Sequence, residues 1–259
     1  MKTERPFWAP PLLAIQFLTR VPVPGVAQLS RDAVHVGLSR AVGWFPLVGA
    51  LVGAVTASIV LLADALWPPL VAVLLALIVE ARLTGAFHED AVADFCDGLG
   101  GGRDPAHVRE IMKDSRIGSY GALGLSLAVG LRAALMLAIE SPRMLFLAIV
   151  AAATFGRLVV AIAMIAIPQA PRAEGLSKDI GAGVGWRDVV MAGVTAIPGL
   201  LLYTLAAPLA LLLAAAAAVV FLIWLRALLV RRLGGSTGDC LGFAAYVGQI
   251  ILLLAAAAS

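Results

Sequence analysis

Acidic side chains recur at helical spacing in the polar segment 88–118. Asp90, Asp94 and Asp97 are separated by four and then three residues, so one helical face would carry all three. Carboxylates that close repel one another unless a cation lies among them, and Mg²⁺ prefers oxygen ligands shared with substrate phosphates. Glu80 precedes Asp94 by about four turns and is predicted to extend the same stripe. These four carboxylates predict a Mg²⁺ site; the alternative is a solvated acidic face.

Basic side chains follow at the same spacing. Arg109, Lys113 and Arg116 would share one face of a second helix, which Asp104 would cap and Pro105 would begin. A cationic face opposite an anionic face suits a phosphoanhydride, because cations neutralise charge that develops on a leaving phosphate. The alternative is salt bridging between the two faces.

Two further features of this segment are weaker indications of function. Residues 98–102 read GLGGG and are predicted to break the acidic helix, either as a hinge or as backbone that donates N–H groups to phosphate. His88 is a candidate metal ligand or general base, although a histidine at the end of a span is more often only interfacial. The chain has no Walker A, HExxH or Ser-His-Asp pattern.

The rest of the chain is strongly apolar. Hydrophobic residues make up 61% and charged residues 14%, against about 25% charged in soluble domains. Continuous apolar runs approach the ~20 residues that cross a bilayer, and backbone in lipid is satisfied only within helices or closed barrels. The sequence predicts an all-α integral membrane protein, a polytopic bundle of about seven transmembrane helices. A short N-terminal interfacial or re-entrant helix precedes them, and residues 1–259 are predicted to form a single catalytic domain.

Seven spans are predicted, at about 44–63, from 70 into the polar segment, and at 117–139, 144–167, 188–206, 208–229 and 241–257. With the N-terminus in the cytoplasm, the polar segments 88–118, 168–187 and 231–239 fall on the cytoplasmic side. Arg143 is then the one basic residue of these connections outside, as the positive-inside rule requires.

Charges inside the apolar runs are costly and usually functional. Glu80 and Arg157 are predicted to pair in the helix interior or to line a polar cavity that opens to the cytoplasm. Arg82 and Arg132 are expected to extend toward the membrane surface. Gly49 and Gly53 form a small-xxx-small pattern that lets a second helix approach closely.

Composition also excludes some classes of function. The net charge of +3 comes from basic residues spread among loops, so no nucleic-acid surface is predicted. Cys96 and Cys240 lie in separate polar segments and do not imply a disulfide framework. Cys96 lies among aspartates, which disfavour a thiolate nucleophile.

Several motifs, in order along the chain, resemble those of the cobalamin synthase family, the adenosylcobinamide-GDP ribazoletransferases of bacterial inner membranes. They are FLTRVPVP at 17–24, WFPLVG at 44–49, TGAFH at 84–88 with the aspartates that follow, IMKDSRIG at 111–118, EGL at 174–176 and GGSTGDCLG at 234–242. The family usually reads HxDGLAD where this chain has Ala91 and Val92 in place of Gly and Leu, and it often has Gly where this chain has Ser177. These departures keep every carboxylate.

The resemblance implies that adenosylcobinamide-GDP and α-ribazole, or its 5′-phosphate, are the substrates, that a phosphoryl group is transferred with release of GMP, and that Mg²⁺ assists. It also implies a multi-pass protein of the bacterial inner membrane. The charge bias of the connections places the active site on the cytoplasmic side, and the small-residue helix faces permit homo-oligomers. The predicted site has three parts. The catalytic residues are His88, Lys113 and Arg116; the metal ligands are Asp90, Asp94, Asp97 and Glu80; the substrate-binding residues are Arg109, Asp114, Ser115, Arg157, Glu174 and Asp239.

Three other classes of protein remain alternatives. A CDP-alcohol phosphatidyltransferase carries a similar aspartate stripe, but its DGxxAR pattern is absent, because Asp97 and Gly98 are followed by LGGG. A prenyltransferase also uses Mg²⁺ but usually has a DDxxD cluster that this chain lacks. A transporter would favour broken helices and inverted repeats. The sequence offers only a short similarity between DGLG at 97–100 and DCLG at 239–242.

Overall fold

The computed structural model describes residues 6–171 and 183–259, apart from the side chains at positions 31, 32 and 35. Regular structure in these ranges is helical, with two short 3₁₀ turns at Pro24–Gln28 and Val42–Trp44. The α-helices described within these ranges are α1 (Ala9–Leu18), α2 (Arg31–Ala41), α3 (Phe45–Asp64), α4 (Pro69–Thr84), α5 (Phe87–Gly101), α6 (Pro105–Lys113), α7 (Ser119–Leu137), α8 (Pro142–Ala166), α9 (Trp186–Ala206), α10 (Pro208–Leu233) and α11 (Gly238–Ala257).

The predicted membrane architecture is confirmed. Six helical segments are long and apolar enough to cross a bilayer: Val36–Asp64, α7, α8, α9, α10 and α11. Helices α4 and α5 pass the same test together but are bent by 90°, so the count is seven if that pair is one span. Helix α1 has ten residues, too few to span, in agreement with the predicted short N-terminal helix.

Helix α8 lies at the centre of the bundle and packs against α3, α9 and α11. Its contact with α3 is the most extensive in the molecule, and the predicted glycine pattern explains why. A Cβ at Gly49 would lie 2.5 Å from the carbonyl oxygen of Ala153, so only glycine allows the two backbones to approach this closely. Helix α11 packs on another face of α8 and also against α5, which brings the C-terminal helix beside the acidic helix.

The predicted continuous acidic helix is wrong in one respect. The chain leaves α4 through Gly85 and Ala86, which both adopt left-handed backbone conformations with φ of 73° and 55°. Helix α5 then runs at 90° to α4, so Glu80 does not extend the stripe formed by the later aspartates. The predicted break at 98–102 lies at the end of that run, because α5 continues through the first glycines to Gly101 and ends at Gly102.

Candidate active site

A polar cavity of about 430 Å³ separates α5 from the segment that leaves α6. One wall carries Glu89, Asp90 and Asp94 from α5. The other wall carries four consecutive polar residues, Lys113, Asp114, Ser115 and Arg116. The structure therefore brings the predicted anionic and cationic faces together across a space that a substrate can enter. We call this space the polar cavity.

Helix α6 holds the cationic wall in place. Asp104 caps it as predicted, since its Oδ1 accepts hydrogen bonds from the backbone N–H groups of His107 at 3.0 Å and Ala106 at 2.9 Å. These same hydrogen bonds keep the pKa of Asp104 below its usual range. The side chains of Val108 and Met112, both in this helix, are buried. Arg109, predicted to bind substrate, is not among the residues that line the polar cavity.

Arg116 is held by Asp114 at the mouth of the cavity. Its Nη2 lies 2.6 Å from Asp114 Oδ2, and its Nε and backbone N–H each lie 3.0 Å from Asp114 Oδ1. These hydrogen bonds from Arg116 lower the pKa of Asp114 to about 2, so the carboxyl is ionised throughout the physiological range. The guanidinium is largely exposed and is oriented by this contact.

Asp97 fixes the start of α7. Its Oδ2 accepts a hydrogen bond from the backbone N–H of Gly118, and its Oδ1 accepts one from that of Gly121, both at 2.7 Å. The carboxylate thus satisfies two of the N–H groups that a helix N-terminus leaves without partners. A Cβ at Gly121 would lie 2.2 Å from Asp97 Oδ2, so this position requires glycine. Asp97 has a structural role in the fold, and its predicted part in metal binding stays a prediction.

Asp239 joins the acidic residues from the far end of the sequence. It lies in the first turn of α11, and the packing of α11 on α5 brings it close enough to Asp90 and Asp94 for the charges to repel. We call Asp90, Asp94 and Asp239 the acidic cluster. Asp239 thus lies beside two of the predicted metal ligands, and its own predicted role in substrate binding stays a prediction.

The acidic cluster suits Mg²⁺ in chemistry but is not a complete cage. Its hard carboxylate oxygens are the ligands that Mg²⁺ takes. Within residues 6–171 and 183–259, no three Asp, Glu, His or Cys side chains converge as a metal site. Mg²⁺ usually binds through one or two carboxylates together with substrate phosphates, so the residues fit an ion that arrives with its substrate.

Glu80 has a different partner from the one predicted. Its Oε2 and Oε1 lie 2.7 and 2.9 Å from Arg132 Nη2, and Thr56 Oγ1 donates to Oε2 at 2.8 Å. The predicted pair of Glu80 with Arg157 is therefore wrong, and so is the expectation that Arg132 extends to the surface, since both members of the pair are 2% exposed. The bend after α4 explains this arrangement, because it turns α5 away and leaves Glu80 facing α7.

Glu89 links this buried pair to the polar cavity, and the sequence reasoning missed it. Its Oε1 lies 3.8 Å from Arg132 Nη1, while the residue itself lines the cavity beside Asp90. Arg132 also lies over the ring of Tyr246, 5.7 Å from its centroid. Two features of the sequence could have indicated this contact: Arg132 lies in an apolar run, and Glu89 is an additional acid next to the predicted acidic stripe.

His88 and Arg157 lie on another side of α5, away from the polar cavity. Position 88 is about 200° around the helix from position 90, so their side chains point in nearly opposite directions. Both residues line an aromatic pocket that also contains Phe17 and Phe87. The structure thus does not bring His88 to the cationic wall, and its catalytic role stays a prediction. Glu174 lies outside the described residues.

Comparison with known proteins gives a consistent result. Residues 10–257 match the family model described as cobalamin-5-phosphate synthase. A relative from Ralstonia pickettii, named adenosylcobinamide-GDP ribazoletransferase, is 38% identical over 98% of this chain and 96% of its own. Relatives of the same name from Bradyrhizobium diazoefficiens and Vibrio cholerae are 40% and 35% identical and cover 95% and 94% of this chain, and 92% and 91% of their own. No solved structure matches the chain.

Proposed function

Because the chain belongs to the cobalamin-5-phosphate synthase family, transferases of cobalamin synthesis, we propose that it joins adenosylcobinamide-GDP to α-ribazole or α-ribazole 5′-phosphate. The motif resemblance of the sequence to this family is confirmed by the same comparisons. The observation that carries the proposal is the polar cavity, in which carboxylates face Lys113 and Arg116.

The proposed reaction is a phosphoryl transfer. A ribose hydroxyl of the acceptor attacks the phosphorus that bears the cobinamide arm, and a new P–O bond forms. The bridging bond of the pyrophosphate breaks, GMP leaves with the bridging oxygen, and the hydroxyl proton is lost. The product is adenosylcobalamin, or its 5′-phosphate.

The cavity walls supply what such a transfer requires. Lys113 and Arg116 would bind the pyrophosphate and stabilise the negative charge that accumulates on the departing GMP. Asp114 orients the Arg116 guanidinium, so that group is held in place before substrate binds. Ser115 adds a hydroxyl donor to the same wall.

Asp90 and Asp94 would hold Mg²⁺ on the opposite wall, with Asp239 as a further ligand or as the partner of a nucleotide hydroxyl. When bound, the ion supplies positive charge to the phosphate oxygens. The mutual repulsion of these three carboxylates supports the assignment, because a cation relieves it.

We propose further that the protein lies in the bacterial inner membrane with the polar cavity on the cytoplasmic side. The support is that Lys and Arg of the predicted connections are concentrated on the side of the polar segments, as the positive-inside rule requires. A cytoplasmic cavity would also meet nucleotide-activated substrates where they are made.

The proposal is tested by turnover of the purified full chain in detergent. Adenosylcobinamide-GDP and each acceptor are supplied with and without Mg²⁺, and cobalamin product and GMP are measured. Product formation that requires Mg²⁺ supports the proposal; no product with either acceptor refutes it.

Asp94→Ala should reduce turnover at least about a hundredfold, the size of loss expected when one transition-state contact is removed. Asp64→Ala is the matched control, because Asp64 is exposed at the other end of α3, beside the turn to α4. Near-normal activity of the Asp94 variant would refute the metal assignment.

A further inference from the structure

The aromatic pocket on the other side of α5 has the character of a second binding site. Phe17, Phe45 and Phe87 form its walls, and Arg157 and His88 are its polar side chains. It leaves about 40 Å³ free, while a single water needs about 10–15 Å³ on the same measure. A group of a few heavy atoms therefore fits without rearrangement of the bundle.

Arg157 lacks a full set of partners in this pocket. It is 1% exposed, its Nη1 donates to the carbonyl oxygen of Ala153 at a long 3.3 Å, and its Nε has no hydrogen-bond partner within the described part of the chain. The two acids whose charges act on it, Glu80 and Glu89, already contact Arg132. A buried guanidinium among phenyl rings is costly unless an anion pairs with it.

The pocket leads from Arg157 toward the acidic cluster. Arg157, Val160 and Met164 are spaced three and four residues apart on α8 and all line it, so it follows that helix for about 10 Å. At the other side it is lined by Gly238, the residue before Asp239. Phe87, which lines the pocket, is 40% exposed, so this wall of the pocket lies at the protein surface beside α5. The acidic cluster thus lies between two binding spaces, the polar cavity and the aromatic pocket.

A reaction that joins two substrates needs two such spaces. In the proposed transfer, the phosphoryl group from the donor becomes the diester that links the two halves of the product. A further phosphate on the product, as in the cobalamin-5-phosphate of the family description, must therefore be carried in by the acceptor. That phosphate is a small anion, which is the kind of partner that Arg157 lacks.

We propose that the aromatic pocket binds the acceptor substrate by its phosphomonoester, with the Arg157 guanidinium as the anchor. This inference rests on the proposed function for the identity of the acceptor. His88 shares the pocket and offers a ring N–H to the same phosphate. The aromatic walls surround the anchor with low dielectric, which strengthens the pairing of guanidinium with phosphate.

The first experiment measures binding without turnover. Thermal unfolding of the full chain in detergent is followed with α-ribazole 5′-phosphate, α-ribazole and inorganic phosphate as probes. For the wild type, we expect the phosphorylated nucleoside to bind at least about tenfold more tightly than α-ribazole, the gain typical of one charge-assisted contact. In Arg157→Gln that ratio should fall to near one.

Arg143→Gln is the matched control, because it makes the same substitution at an exposed position of the same helix. Its binding ratio should equal that of the wild type. Arg157→Lys keeps the charge but loses the planar donor pair, and its ratio should lie between those of the wild type and Arg157→Gln. This variant also keeps the test decisive if Arg157→Gln does not fold. An unchanged ratio in the Arg157 variants, or an equal loss of both nucleosides, overturns the inference.

Inorganic phosphate distinguishes the two anion sites. If the inference is correct, phosphate competes with α-ribazole 5′-phosphate in the wild type and not in Arg157→Gln. Competition with adenosylcobinamide-GDP alone would place the phosphate in the polar cavity and overturn the inference. Arg157-dependent binding in a protein that forms no product would instead refute the proposed function and leave the subsite standing.

Discussion

The buried pair of Glu80 and Arg132 gives the sharpest test of how the bundle is held together. Each residue is 2% exposed, and Arg132 Nη2 lies 2.7 and 2.9 Å from the two oxygens of Glu80. Glu80→Gln removes the charge and keeps one acceptor oxygen. Arg132→Met removes the cation and leaves a buried carboxylate whose remaining partner is Thr56 at 2.8 Å.

The magnitudes follow from this geometry. A hydrogen bond to a charged group contributes about 1.5–3 kcal/mol, so Glu80→Gln should lower the free energy of unfolding by about that amount. Arg132→Met should cost about 3–5 kcal/mol, because removal of one partner leaves an uncompensated buried charge. The double variant should be more stable than the sum of the two losses predicts, with a coupling of at least about 1.5 kcal/mol.

The assay is reversible unfolding of the four proteins in mixed detergent, followed by circular dichroism and by loss of turnover. The Mg²⁺ concentration for half-maximal activity is measured on the folded fraction. If Glu80 acts through Arg132, the Glu80→Gln variant loses stability and keeps this concentration within about twofold. Additive losses in the double variant, or a large rise in the required Mg²⁺ with normal stability, would refute the reasoning and favour a metal-ligand role for Glu80.

Two further predictions concern the region from α5 to the start of α7. Asp97→Ala should cost about 2 kcal/mol of stability by removing the cap of α7, measured by the unfolding midpoint, whereas loss of Mg²⁺ activation in an equally stable variant would contradict this view. Asp114 has a folded pKa of about 2, below its unfolded value of about 3.9, so its pairing with Arg116 is present above pH 4 and is lost as the pH falls toward 2. Asp114→Asn should therefore lower turnover by the same factor at pH 5 and pH 8, and a factor that changes between these values would argue against the assignment.

Much of the fold could be predicted from the sequence because it depends on local patterns. Long apolar runs predict the spans, and the spacing of Asp90 and Asp94 predicts one acidic face. Helical register alone also predicts that His88 faces away from Asp90, whereas the motif-based prediction places both in one site. The small-xxx-small pattern at Gly49 predicts the close approach of α3 to α8.

Other features depend on tertiary contacts that local patterns do not specify. Gly85 can signal the end of a helix, but Ala86 is an unusual residue for a left-handed conformation, so the 90° bend was not predictable. Arg132 and Arg157 are equivalent in the sequence as partners for Glu80. Only the packing of α4 on α7 selects Arg132, which lies 52 residues further along the chain.

The two binding spaces differ in how much of the chain must be synthesised before each can form. Among the described residues, the polar cavity is lined by side chains between Ala86 and Leu125. The Asp97 contact to the start of α7 ties the two ends of this stretch together. The aromatic pocket takes side chains from α1, α3, α5, α8 and α11 and needs Gly238 near the end of the chain. During membrane insertion, the cavity can thus take shape once α7 has left the ribosome, whereas the pocket is completed only by the last helix. A chain cut before α11 would keep the residues that line the polar cavity and lose one wall of the aromatic pocket. C-terminal truncation would therefore affect the proposed acceptor site and leave the lining of the proposed pyrophosphate site in place.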